Sequence, residues 1–322
     1  MKIPLSLSVY EHAARFINET PWNTSRSAEL MYRAHREAYL CYRHSPLVVG
    51  IDIYNLEAEC YGCKIERPDG NGIPAVIKHP FPGSADALRI EPYDLRSGRI
   101  PLIMEVAGRL QTEFPEADIR IPVSGPFSIA QNLIGLDQLV IETALSPEPV
   151  RKLLDRLVEG QLTWCREINS AGLNLAFFES AAAPPLISPA TFHNIELPPL
   201  KRAMSGVSGI LGHPVPCIIG GDTTLVIDHM LETGTDFLIC PSEADRVTFL
   251  NRMKNHPEIK VRINMNPAIY ARGNHENISS EIDAIIKLAD GRENILLGTG
   301  AIPFETPVEN ILFIKNYITK NH

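Results

Sequence analysis

Residues 215–240 read VPCIIGGDTTLVIDHMLETGTDFLIC, and the order of features in this stretch decides the fold. An apolar run, Val215–Ile219, stops at Gly220 and Gly221. A segment of helical spacing follows from Thr223 to Thr233, and a second apolar run, Phe237–Cys240, resumes just after Gly234. Both runs are apolar at consecutive positions, as in strands buried on both faces. A strand, a helix and a second strand make a βα unit, and the crossover helix makes the two strands parallel. Gly234 sits where a helix C-cap belongs.

Working outward, the same unit recurs. Further strands are expected at Leu47–Asp52, Asp118–Val123, Leu173–Phe178, Lys260–Ile263 and Ile295–Leu297, seven in all with no place for an eighth. Helices are expected at Pro147 to Ser170, Pro189 to Met204, Ser242 to Asn255, Ser279 to Ala289 and Thr306 to Lys320. Repeated βα units predict an α/β fold, a (β/α)8 TIM barrel formed by residues 1–322 as one domain. Residues 60 to about 100 break the rhythm with repeated Pro and Gly and read as hairpins and loops inserted after the first strand. Two amphipathic segments, Tyr10–Asn18 and Ala28–Tyr42, would close one end of the barrel or pack on a second subunit, leaving a homodimer possible.

Composition narrows the function. The 322 residues are 44% hydrophobic, enough for a sizeable core, and carry a formal charge of -8. No Lys/Arg run could follow a phosphate backbone or an anionic lipid surface, so neither nucleic acid nor membrane is an expected partner. Charges interrupt the N-terminal MKIPLSLSVYEHAARF before an apolar stretch develops, which argues against a signal peptide and for the cytoplasm. Six scattered cysteines read as reduced thiols, and Cys60 and Cys63 form a C-x-x-C pair with no second half. Phosphate-loop, dinucleotide-binding and G-x-S-x-G patterns are absent.

Parallel barrels act at the C-terminal ends of their strands, so the residues ending each run are the candidates. Asp52, Glu179 and Asp222 are the expected catalytic carboxylates. For Asp52 the alternative is a carboxylate that caps the next helix. Tyr54, Asn55, Ser124, Phe127, Gln131, Gly220, Gly221, Asn264, Asn266, Thr299 and Gly300 are the expected substrate-binding set. The glycines leave room for a bulky ligand, and Gly125 precedes a helix start with free N–H groups. No His/Cys pair at short ligand spacing ends a strand, so no metal is predicted.

The blocks IDIYNLEAECYGC, SGPFSIAQNLIGLDQL, FESAAAPPLISPATFHNIELPPLK, GGDTTLVIDHMLETGTDFL, NMNPAIYARG and LLGTGAIPFETPVENI, in this order, resemble the uroporphyrinogen decarboxylase superfamily. The AEC-x-GC, TPVEN and GDTT stretches are more similar to its corrinoid-linked methyltransferases than to its decarboxylases. That resemblance implies methyl transfer from a corrinoid, arriving free or on a carrier protein, to a small-molecule substrate. It also implies a zinc site, but the matching positions here are Ile218, Gly220 and Gly300, so the zinc site is expected to be lost. Decarboxylation of a tetrapyrrole, or a non-catalytic tetrapyrrole-binding barrel, are the alternatives. Asp52 matches a decarboxylase aspartate, but the Arg-rich segment preceding it in that branch is missing, and Thr299 replaces the family histidine.

Overall fold

The structure, a computed structural model, describes residues 3–91, 94–289 and 291–321. Its strands are β1 (Leu5–Ser8), β2 (Leu47–Val48), β3 (Lys64–Glu66), β4 (Ala75–Lys78), β5 (Ile119–Ser124), β6 (Asn174–Phe178), β7 (Cys217–Ile218), β8 (Phe237–Cys240), β9 (Lys260–Asn264) and β10 (Ile295–Ala301). Two four-stranded arcs run β1-β10-β9-β8 and β2-β5-β6-β7, parallel at every pairing. β7 lies beside β8, so the arcs continue into one (β/α)8 barrel, as the repeating units predicted. The hairpin β3–β4 is antiparallel and falls inside the insertion expected after the first strand.

The eighth barrel strand is β1. It escapes the apolar-run criterion because Leu5-Ser6-Leu7-Ser8 alternates: Leu7 packs in the outer core, while Ser6 and Ser8 face the barrel interior. Helix Ala28–Tyr42 forms as expected and packs against helix Ile100–Glu113. It belongs to the crossover between β1 and β2. The segment expected as a helix from Tyr10 is a tight 3-10 turn over Glu11–Ile17, ended by Asn18 in the left-handed conformation at φ 56°.

The main core lies between strands and outer helices, around Trp164, Phe127, Phe249 and Leu157. A second, small cluster fills part of the barrel interior: Tyr10, Val48, Ile53, Ala176 and Phe178, with Ile218 against them. Barrel interiors are usually filled by layers of bulky branched side chains. Here Ser6, Ser8 and Ala176 supply little volume, and a cavity of ≈ 360 Å³ remains towards the N-terminal ends of the strands, lined also by Asp118, Asp236 and Lys260.

β2 is shorter than the expected Leu47–Asp52. Its pairing with β5 runs out after Val49 donates to the Arg120 carbonyl. Gly50, at φ 143°, then turns the chain aside, a conformation that suits only glycine. The Gly50 N–H donates to His35 Nε2 at 3.0 Å. Burial pushes the His35 pKa down to about 4, so the ring is neutral and free to accept. This turn sets where Asp52 and Tyr54 go.

Candidate functional site at the barrel mouth

At the C-terminal ends of the strands lies a recess of ≈ 200 Å³. β1 contributes Ser8 to its wall and the residues just after it Tyr10, the loop after β2 Tyr54, and β6 Phe178 with Ser180 just beyond it. Ile218, Gly220 and Gly221 come from the end of β7, and Pro241, Ser242 and Glu243 follow β8. Arg262 and Asn264 come from β9, and Thr299 and Gly300 from β10. Tyr54 is held edge-on against Phe178, with ring centroids 6.1 Å apart and planes at 89°. Gly221 at φ 75° and Gly300 at φ 64° shape the rim with backbone that other residues adopt only under strain. Thr299 is buried: its Oγ1 accepts from the Ser8 N–H at 3.3 Å, and its carbonyl accepts from the Tyr270 hydroxyl at 2.6 Å.

Of the expected site residues, the structure brings Tyr54, Gly220, Gly221, Asn264, Thr299 and Gly300 together in this recess. The others lie elsewhere. Beyond the Gly50 turn, Asp52 is buried in an ion-pair chain: it pairs with Arg99, Arg99 with Glu59, and Glu59 with Arg26. Burial pushes the Asp52 carboxyl upward while the Arg99 guanidinium pulls it down. Asn55 donates to the Pro74 carbonyl at 2.6 Å and so tethers the hairpin insertion. Ser124 donates through its N–H and hydroxyl to the buried Glu57, at 2.7 and 3.0 Å. Phe127 belongs to the outer core, and the Gln131 carbonyl caps its helix by accepting from Gly135 N–H at 2.8 Å. Asp222 is exposed and accepts from Thr224 N–H and Oγ1, which fixes the turn after β7. Asn266 caps the next helix through the Ala268 N–H.

Glu179 is wholly buried behind the mouth wall. Its Oε1 accepts from Ser128 N–H at 2.7 Å and Ser128 Oγ at 3.1 Å, at the start of helix Pro126–Ile134. It lies so close to Gly125 that a Cβ there would sit 1.3 Å from Glu179 Oε2. Burial pushes its pKa up to about 8. Buried Glu196, whose carboxyl oxygens have no hydrogen-bond partner, is raised by burial and then by Glu179. Ionisation of Glu179 therefore disfavours that of Glu196.

Sequence reasoning missed Ser8, Tyr10, Ser180 and Arg262. The signal for Arg262 was present: a cation inside the apolar run Lys260–Ile263 must point into the barrel, because its neighbours Val261 and Ile263 pack outward. Ile218, Gly220 and Gly300, where the resemblance puts zinc ligands, all line the recess, and none carries a ligand atom. Among the described residues, the one cluster of side chains spaced to hold a metal is His193, His229 and Glu232, which does not line the recess. No helix among the described residues is long and apolar enough to cross a membrane.

The uroporphyrinogen decarboxylase (URO-D) family profile matches residues 2–320. The chain belongs to that family. Within this URO-D chain, 263 residues are 27% identical to methylcobamide:CoM methyltransferase MtbA of Methanosarcina acetivorans, covering 79% of this chain and 74% of the relative. Methylcobamide:CoM methyltransferase MtaA of Methanosarcina barkeri is 23% identical over 255 residues, covering 79% and 73%. A solved methyltransferase from Methanosarcina mazei superposes with a TM-score of 0.86 at 19% identity, over 99% of this chain and 94% of that one. A B12-independent methionine synthase from Shewanella superposes with a TM-score of 0.51 at 13% identity, over 91% and 88%. These likenesses agree with the TIM-barrel fold.

Proposed function

We propose that this protein is a corrinoid-associated methyltransferase whose small-molecule substrate sits in the mouth recess. The observation that carries this reading is the recess itself. It stands at the catalytic end of a barrel whose relatives are named methylcobamide:CoM methyltransferases. At ≈ 200 Å³ it is smaller than the ~300–1,000 Å³ of sites for drug-sized ligands. The glycines therefore do not make room for a macrocycle inside the barrel. A corrinoid fits this geometry over the rim, where Gly220, Gly221 and Gly300 keep side chains out of its way, and it would supply the methyl group.

The chain's own residues position the small molecule. Tyr54 and Phe178 form an aromatic wall, Asn264 has an unpartnered amide oxygen to offer, and Arg262 closes the floor. The carboxylates act from outside the recess: Asp52 stiffens the loop that carries Tyr54, and Glu179 buttresses the wall that ends in Ser180. With no ligand atom at Ile218, Gly220 or Gly300, the proposed chemistry uses no zinc at those positions. The test is anaerobic visible spectroscopy of methylcob(III)alamin with the protein and a panel of small thiols, amines and carboxylic acids. Loss of the methylcobalamin spectrum that needs both protein and one member of the panel is the expected result, and no protein-dependent change with any member would refute the reading.

A further inference from the structure

Arg262 lines both the recess and the cavity beneath it, as do Ser8, Tyr10 and Ile218, so these four side chains stand between the two spaces. It is 5% exposed. Its Nη1 donates to Ser8 Oγ at 3.0 Å, its guanidinium lies 5.7 Å from the Phe237 ring, and its Nε has no hydrogen-bond partner. Among the described residues no carboxylate pairs with it. The titratable groups near enough to act on its charge are the phenols Tyr10, Tyr54 and Tyr270. A guanidinium does not lose its proton in a protein, so a full positive charge is buried here without a counter-charge. Beside it the Asn264 Oδ1, also buried, has no partner. Turned over, that amide would aim an N–H at the same space.

The backbone is shaped to admit this arginine. A Cβ at Gly298 would lie 2.5 Å from the Arg262 Cγ and Cδ and 2.8 Å from the Asn264 Oδ1. Glycine there lets both side chains lie across the barrel. The one other charged residue lining the recess is Glu243, exposed at the rim, while acidic and basic groups are mixed around the lower cavity. It is the missing ion pair at Arg262, and not the net charge of either lining, that calls for an anion.

We propose that Arg262, with Ser8 and Asn264, is the receptor for an anionic group, carboxylate, sulfonate or phosphate, on the small molecule that enters the mouth. The inference deepens the reading of the mouth as a substrate site and rests on it. The anion supplies the missing counter-charge, and a guanidinium fork binds such oxygens in pairs. It also fixes orientation: with the anion on the floor, the rest of the molecule points out past Tyr54 and Thr299 towards the rim.

The test titrates acetate, methanesulfonate and inorganic phosphate separately into the full-length protein by calorimetry, at constant chloride. At least one should bind the wild type. In Arg262→Met its affinity should fall at least about tenfold, the loss of a charge-assisted hydrogen bond. Removing an unpaired buried charge should also leave the melting temperature of that variant, measured without the anions, equal to wild type or higher. If Arg262→Met does not fold, Arg262→Lys decides by the same titration, since it keeps charge but not the fork. Failure of all three anions to bind, or equal affinity in wild type and variant, would overturn the proposal. The titration contains no corrinoid and so does not depend on methyl transfer: anion binding here together with a negative methylcobalamin assay would sink the proposed reaction and leave this inference standing.

Discussion

Replacing His35 by glutamine should make the protein measurably more resistant to acid. His35 is fully buried, and its Nε2 accepts the N–H of Gly50 at the turn that carries the chain from β2 towards Tyr54. Burial lowers its pKa from 6.5 to about 4. A folded-state pKa below the unfolded one means the unfolded chain binds the proton first. Stability is then present above pH 6.5 and is lost as pH falls towards 4. At pH 5 the unfolded ring is almost fully protonated and the folded ring almost fully neutral, which costs about 2 kcal/mol. For 322 residues at ~2.1 cal/mol/K per residue, that is about 3 °C in Tm. A glutamine carbonyl can accept the same N–H without titrating. Melting wild type and His35→Gln at pH 7.5 and pH 5.0 should therefore show the wild type losing about 3 °C more than the variant. His12 and His44, also depressed by burial, are common to both proteins and cancel to first order. An equal loss in the two proteins would refute the argument.

Two further outcomes follow from the buried carboxylates. Arg99→Met leaves Asp52 buried without its partner and should destabilise the protein by about 3–5 kcal/mol, read by urea unfolding; a loss under 1 kcal/mol would show that Asp52 is neutral. Glu179 has the opposite sign to His35: its raised folded pKa gives stability that is complete below about 4.5 and lost as pH rises to about 8. Glu179→Gln should therefore gain stability relative to wild type between pH 6 and pH 9, and parallel Tm profiles would contradict it.

Most of the barrel was legible because buried parallel strands are largely apolar: β8 is apolar throughout, β6 after Asn174 and β10 over Ile295–Leu297, and β9 keeps Val261 and Ile263 between its polar positions. β1 was not, because half of its residues face an interior that holds a cavity and so need not be bulky. The same physics separates the site residues. The strand-end rule leads to the recess at Asn264, on the regular β9–β10 ladder, and at Thr299 and Gly300, where the β1–β10 register shifts. It does not lead to the recess at Asp52, where one glycine torsion redirects the chain, or at Glu179, whose strand ends at the mouth while its side chain reaches the N-terminus of the helix that follows β5. Nothing local in the sequence distinguishes a carboxylate aimed at substrate from one aimed at backbone amides. Arg262 shows the converse: a charge in an apolar run has only the barrel interior to occupy.

The central claim, that chemistry takes place in the recess between β7, β9 and β10, is tested most directly by filling it. A Cβ on Gly220 meets no atom within 4 Å, and its backbone is not in the left-handed region, so Gly220→Phe adds a ring to the recess without backbone strain. Corrinoid-dependent demethylation, followed anaerobically in the visible spectrum, should fall at least a hundredfold (about 2.7 kcal/mol) in that variant while its Tm stays at the wild-type value. Turnover at the wild-type rate in a folded Gly220→Phe protein would place the reaction elsewhere and contradict the account.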